Sequence, residues 1–208
     1  MNYAGLLGSI FAVHIVAMMS PGPNFLVVTQ TSMSRTRRAG VATALGVAAG
    51  AALWAGSALL GLSVLFNHFA SVYGALKLLG GFYLLYQGVK LWYGSRQPLL
   101  SSASPWAMAR TDLQAFRLGL LTNLTNPKAV IFYGSVFAAF VAPDLPVWVK
   151  RAAFIIIVVD AIGWHVALAC LFSTLRARQI YERARRWIDR IAGTALVLLG
   201  LRLTMTGH

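Results

Sequence analysis

Residues 20–24 read Ser-Pro-Gly-Pro-Asn, and residues 123–128 read Asn-Leu-Thr-Asn-Pro-Lys, each within a long apolar stretch. A proline inside a helix removes a backbone donor and clashes with the preceding turn, so both stretches predict a broken helix. Each proline can begin a new half-helix, with Ser20, Asn24 or Asn126 as the capping residue. In a membrane, such breaks survive only where protein or a wet cavity satisfies the freed backbone groups. The two breaks therefore predict a fold with two broken membrane helices and a binding site near the breaks.

The composition around these breaks is that of a membrane protein. Of the 208 residues, 58% are hydrophobic and 11% are charged, whereas soluble domains carry about 25% charged residues. Apolar stretches long enough to cross a ~30 Å hydrocarbon core run roughly over Leu6–Thr31, Gly40–Phe66, Val72–Trp92, Arg117–Val141, Val147–Leu175 and Ile188–Thr206. These six stretches leave no room for a soluble domain. We therefore expect a single integral membrane domain over residues 1–208.

Lysine and arginine are concentrated in alternate loops, which predicts the orientation of the chain in the membrane. The first loop (residues 35–38), the third (90–117) and the fifth (176–190) are basic, whereas the second (67–71) has no Lys or Arg. We therefore expect both termini outside the cytoplasm. The net charge of +13 is explained by these residues and by contact with anionic lipid, so no nucleic-acid partner is predicted.

The third and sixth apolar stretches resemble each other. They share one spacing of glycines and a basic residue: Gly81, Gly88 and Lys90 in the third, and Gly193, Gly200 and Arg202 in the sixth. The two breaks also fall in the first and fourth stretches, which are equivalent positions. Two repeats of three helices, at about residues 1–93 and 116–208, must be inverted because each crosses the membrane an odd number of times. The alternative is chance similarity, since Gly and Leu are frequent in any membrane helix.

Two charged residues are predicted near the middle of the membrane. Lys128 follows Pro127 in the fourth stretch, and Asp160 lies halfway along the fifth. A charge at the bilayer centre costs at least about 2.5–3.5 kcal/mol, so both should face a partner or a cavity. We expect Lys128 and the half-helix ends to bind a carboxylate, and Asp160 to bind an ammonium group or a proton. The alternative is a direct, structural Lys128–Asp160 ion pair.

Other intramembrane residues are less informative. His165 lies close to Asp160 along the same helix and is a secondary candidate for proton handling. His14 is a weaker candidate for that role; the alternative for each histidine is a hydrogen bond to a neighbouring helix. Small residues recur along the second stretch, including Gly46 and Gly50, and could pack within the monomer or form a homodimer. The single cysteine excludes an internal disulfide. No metal or other cofactor is predicted.

Together these residues resemble the LysE/RhtB family of amino-acid exporters. The resemblance rests on the stretch from Pro21 to Asn24, on Asn123 followed by the stretch from Asn126 to Lys128, and on Asp160 with Trp164. It covers essentially the whole chain. It implies a proton-driven exporter of amino acids in the bacterial inner membrane, in agreement with an all-α fold of six transmembrane helices in two inverted repeats.

The resulting expectation is alternating access around a central site, with an amino acid, protons and the lipid bilayer as partners. The candidate substrate-binding residues are Pro21, Gly22, Pro23, Asn24, Asn123, Asn126, Pro127, Lys128 and Asp160, with Asp160 and His165 as candidates for proton coupling. A neutral substrate is preferred because Asp160 is the one intramembrane acid that the sequence indicates. A carrier for a metal cation or a small drug-like solute, and a channel, are alternatives. An intramembrane enzyme is a remote one, because the chain has no GxSG nucleophile site.

Overall fold

The computed structural model describes residues 2–19, 22–68, 82, 85–86, 88–90, 92–93, 111–140 and 145–205. All regular secondary structure in this part of the chain is helical. The long helices are α1 (Tyr3–Met19), α2 (Pro23–Ser34), α3 (Arg37–His68), α4 (Asp112–Leu124), α5 (Pro127–Phe140), α6 (Val147–Phe172) and α7 (Leu175–Met205). The described residues between 82 and 93 are helical as well. An all-helical fold is therefore confirmed for the described residues.

Both predicted breaks are present. α1 ends at Met19 and α2 begins at Pro23, with an angle of 60° between the two helices. α4 ends at Leu124 and α5 begins at Pro127. Each new helix thus starts with a proline, as its fixed φ angle and missing N–H favour. Ser20 and Pro21 lie outside the described residues.

The described helices have the apolar surfaces of a membrane protein. α6 and the segment Arg37–Leu60 of α3 are long and apolar enough to cross a membrane, and the α1–α2 pair passes the same test as one broken span. Large apolar side chains such as Leu53, Ile155 and Val159 are exposed, which suits contact with lipid. The predicted third span lies largely outside the described residues.

Two helices begin earlier than the sequence suggested. α7 starts at Leu175, so most of the predicted fifth loop is helical. Arginine and alanine are good helix formers, and a charged helix is stable wherever water or headgroups solvate it. α4 starts at Asp112, where Thr111 and Gln114 form a capping box. Charge density therefore did not indicate where these two helices begin.

α3 packs closely on α4 through glycines. A Cβ atom on Gly46 would collide with the Phe116 carbonyl of α4, and one on Gly119 would collide with the Thr43 carbonyl of α3. A Cβ on Gly50 would lie 2.8 Å from the side chain of Asn123. Such backbone contact is the usual role of small-residue stripes. Of the two options left open, the glycine pair on α3 serves packing within the chain.

Candidate functional site

Asn126 connects the two breaks. Its side-chain oxygen accepts the Lys128 backbone N–H at 3.0 Å, so Asn126 caps α5 as predicted. Its side-chain amide donates to the Asn24 side-chain oxygen at 3.2 Å. Asn24 itself is not a helix cap, because Gly22 precedes Pro23 in that position and offers no side chain. The two broken helices therefore meet at an Asn–Asn contact.

Lys128 also reaches the first break. Its ammonium group donates to the Ala17 carbonyl at 3.2 Å, in the last turn of α1. The last carbonyls of a helix have no partner within that helix, and a cation at this end also complements the helix dipole. The sequence left open a direct ion pair with Asp160, but the structure places Lys128 at the end of α1 and Asp160 beside a different residue.

That residue is His14. Its Nδ1 lies 3.3 Å from the Asp160 carboxylate, and its Nε2 lies 3.0 Å from the Tyr133 hydroxyl. The three side chains come from α1, α6 and α5, and all of them are buried: His14 is 1% exposed and Asp160 7%. A buried charge is tolerated when it is paired and hydrogen-bonded, so His14 supplies the partner that Asp160 was expected to need.

A cavity that is partly open to solvent lies between these groups. Residues of α1, α2, α4, α5 and α6 line it, including the apolar rings of Phe25 and Phe132. Of the residues selected from the sequence, those that line it are Gly22, Asn24, Asn123, Asn126, Lys128 and His165. Residues of both helix breaks therefore line the same cavity.

The remaining candidates lie elsewhere. Pro23 and Pro127 begin α2 and α5, and Pro21 is outside the described residues. Asp160 is not among the described residues that line the cavity, whereas His14 and Tyr133 are. Sequence reasoning missed Tyr133 as a site residue, and it ranked His14 below His165 as a candidate for proton handling. The polar hydroxyl of Tyr133, one and a half turns after Lys128, was the available signal.

Asn123 and His165 complete the polar wall. The Asn123 carbonyl accepts from the Trp54 indole at 3.4 Å, while its side-chain oxygen is buried with no hydrogen-bond partner in the described part of the chain. The Nδ1 atom of His165 bonds to the Ala161 carbonyl at 2.8 Å, one turn earlier in the same helix. A carbonyl can only accept, so Nδ1 of His165 carries the proton.

A second buried acid was not recognised from the sequence. Asp189, on α7, is 1% exposed and lies within electrostatic range of Lys128. It lies at the start of the predicted sixth span, next to the basic segment, and the sequence analysis did not select it. No group of three or more His, Cys, Asp or Glu residues in the described ranges is arranged to hold a metal ion.

Comparison with known proteins gives a family. The sequence profile of the LysE type translocators matches residues 15–207. A threonine efflux protein of Escherichia coli K12 is 37% identical over 93% of this chain and 95% of its own length. A threonine efflux protein of Salmonella typhi is 36% identical over 97% of this chain and 98% of its own. A leucine efflux protein of Salmonella choleraesuis is 33% identical over 68% of this chain and 63% of its own length.

No solved structure matches the chain. The names of the family and of these relatives describe transporters rather than enzymes. The matched range includes the residues around both breaks and Asp160 with Trp164, on which the resemblance to LysE/RhtB exporters was first based. The chain therefore belongs to the family of LysE type translocators.

Proposed function

We propose that this protein exports neutral amino acids from the cytoplasm across the bacterial inner membrane, by proton-driven alternating access. The relatives are named for threonine and leucine efflux, and both of those side chains are uncharged. The observation that carries the proposal is one cavity that is bordered by residues of both helix breaks and by His14, the partner of Asp160.

The two ends of the cavity suit the two charges of an amino acid. Lys128, with Asn24 and Asn126 beside it, binds the carboxylate, and the first turn of α2 adds its positive dipole end. The negative charge of Asp160 attracts the ammonium group from behind His14. The side-chain oxygen of Asn123, which has no hydrogen-bond partner in the described part, offers a further acceptor.

Apolar rings support an uncharged substrate side chain. Phe25 and Phe132 lie on the cavity wall together with Ala17, Met18 and Ala129. A cationic side chain would need a carboxylate of its own, whereas the described residues that line the cavity include no Asp or Glu and Asp160 is already paired with His14. An apolar or hydroxylated substrate side chain can pack against these residues without a further charged group in the protein.

We also propose that six helices form two inverted repeats within one domain. A Cβ on Gly88 would lie 2.6 Å from the Gly193 carbonyl, so the two glycines touch. The repeat spacing equates Gly88 with Gly200 and Gly193 with Gly81, so a two-fold axis would bring Gly200 against Gly81. We expect oxidative cross-linking of cysteines placed next to Gly81 and Gly200, in a Cys170→Ser background. Absence of any cross-link at such positions would contradict the inverted arrangement.

The orientation with both termini outside has support from contacts at one end of the molecule. Arg37, at the start of α3, donates to Cys170 near the end of α6 at 3.2 Å. Arg38 pairs with Asp112 at the start of α4. These contacts support a common side for the first loop, the end of the third and the start of the fifth, which are the basic loops. The positive-inside rule assigns that side to the cytoplasm.

The test is efflux from proteoliposomes. Vesicles are loaded with labelled threonine, leucine, lysine or glutamate, and release is compared with and without an acid exterior. We expect the pH gradient to accelerate release of threonine or leucine only. If protein shown to be folded and inserted releases no amino acid, the proposal is wrong, and metal cations and drug-like solutes become the substrates to test.

Lys128→Ala tests the carboxylate role. It should weaken transport of the amino acid but spare threoninol, which keeps the ammonium group and lacks the carboxylate. Equal loss of both compounds would make Lys128 a structural residue that only holds the end of α1. Lys150→Ala is the matched control, because Lys150 lies at the start of α6 and does not line the cavity.

A further inference from the structure

His14 stands between the cavity and Asp160. Among the described residues, the cavity wall includes His14 and His165 but not Asp160. A substrate in the cavity therefore meets the His14 imidazole first, with the Asp160 carboxylate behind it. Any influence of Asp160 on the substrate depends on the protonation state of this ring.

The hydrogen bonds of His14 fit two protonation states without any movement of the ring. When the imidazole is neutral, Nδ1–H donates to Asp160 and Nε2 accepts from the Tyr133 hydroxyl. When it is protonated, both nitrogens donate, to the carboxylate and to the phenol oxygen. Only the Tyr133 hydroxyl hydrogen has to turn. The three side chains therefore form a buried site that can gain or lose one proton.

We propose that the His14–Asp160 pair is the proton-binding site of the carrier, and that its charge decides whether a substrate ammonium group stays bound. This inference rests on the proposed amino-acid export. With a neutral imidazole the pair carries one negative charge and attracts an ammonium group, strongly so in a site with little water. With a protonated imidazole the pair is neutral and the attraction is lost.

The cycle balances. A proton from outside adds to Nε2 of His14, the ammonium group loses its counter-charge, and the zwitterionic amino acid leaves to the outside. The proton then leaves to the cytoplasm, and the pair regains its negative charge and binds the next substrate. One proton enters for each amino acid exported, so one positive charge moves inward in each cycle.

The surrounding groups favour His14 over His165 as this site. Facing His14 are Tyr133 and Lys128 from α5, Asp160 and His165 from α6, and α7 contributes Asp189 near Lys128. α2 carries no titratable side chain. Nδ1 of His165 donates to a backbone carbonyl, whereas Nδ1 of His14 faces a carboxylate. A proton on His14 is thus directly compensated, and its gain or loss changes the charge of the pair.

The experiment compares His14→Gln with His165→Gln in proteoliposomes, using an amino acid that the wild type carries. Glutamine keeps hydrogen-bonding groups but does not titrate. We expect His14→Gln to retain exchange of labelled for unlabelled substrate without a gradient, while its net efflux no longer responds to an acid exterior, because linkage to protons is lost. His165→Gln, which also changes the cavity wall, should still be stimulated by an acid exterior, whatever its basal rate. Net efflux from His14→Gln that is stimulated as in the wild type would overturn the inference.

A second measurement covers the case in which His14→Gln does not fold. Substrate binding to purified protein is followed against pH for the wild type and Tyr133→Phe. Loss of the phenol oxygen removes a charge-assisted hydrogen bond from the protonated ring, so binding should persist to lower pH in Tyr133→Phe. An unchanged pH profile would overturn the inference. Failure of the wild type to transport any amino acid would instead overturn the proposed function.

Discussion

The two helix breaks are stabilised in different ways. The second break, between Leu124 and Pro127, relies mainly on its own residues: Thr125 bonds back to the Leu121 carbonyl through its N–H and its hydroxyl, and Asn126 caps α5. At the first break, between α1 and α2, Gly22 offers no capping side chain. The side-chain contacts described there come from α5, through Lys128 and Asn126.

From this difference we infer that the second break is the more rigid of the two, and that the first break is held by contacts from the second. α3 holds α4 by direct contact at Gly46 and Gly119. In the last turn of α1, by contrast, the Ala17 carbonyl accepts a hydrogen bond from the Lys128 ammonium group. Under the proposed role of Lys128, a substrate carboxylate would bind the same ammonium group that donates to the Ala17 carbonyl of α1.

The largest effect is expected from removing the support of the second break. Gly46→Ala should lower the free energy of unfolding by about 1–3 kcal/mol, because the new Cβ meets the α4 backbone, which cannot rotate away. Thermal unfolding of the purified protein in detergent measures this loss.

Gly163→Ala is the matched control. It is the same substitution in a membrane helix, but a Cβ at Gly163 has no atom within 4 Å. We expect it to be neutral or to stabilise the protein by up to about 1 kcal/mol, because alanine is the better helix former. Similar losses in the two variants would mean that α3–α4 contact does not support the second break.

The parts of the fold that could be predicted from sequence are those set by local chemistry. Proline cannot continue a helix, so the positions of both breaks followed directly from Pro23 and Pro127. The predicted start of α7 was wrong because its arginines were interpreted as a loop. Arginine forms helices well when it lies outside the hydrocarbon core. Whether Gly46 packs internally also required the structure, because a small-residue stripe does not specify its partner.

The sequence analysis selected several of the residues that line the cavity, but not how the polar side chains pair. It selected Lys128 and Asp160 as intramembrane charges that need partners. Their actual partners are Ala17 and His14, and the latter lies 146 residues away from Asp160 along the chain. Local patterns contain no information on such a contact. The buried Asp189 was missed for a related reason: its burial depends on neighbouring helices rather than on its own segment.

A smaller loss of stability is expected from substitution of Asn126, which caps α5 at the second break and also hydrogen-bonds to Asn24 at the first. Asn126→Ala should lower the free energy of unfolding by about 2 kcal/mol, from loss of the cap and of one hydrogen bond. Asn24→Ala removes only the Asn126–Asn24 hydrogen bond, so its expected cost is about 1 kcal/mol. Unfolding of both variants in the same detergent gives the comparison. A cost at Asn24 equal to or above that at Asn126 would reverse the assignment, since the first break would then contribute as much to stability as the capped helix it contacts.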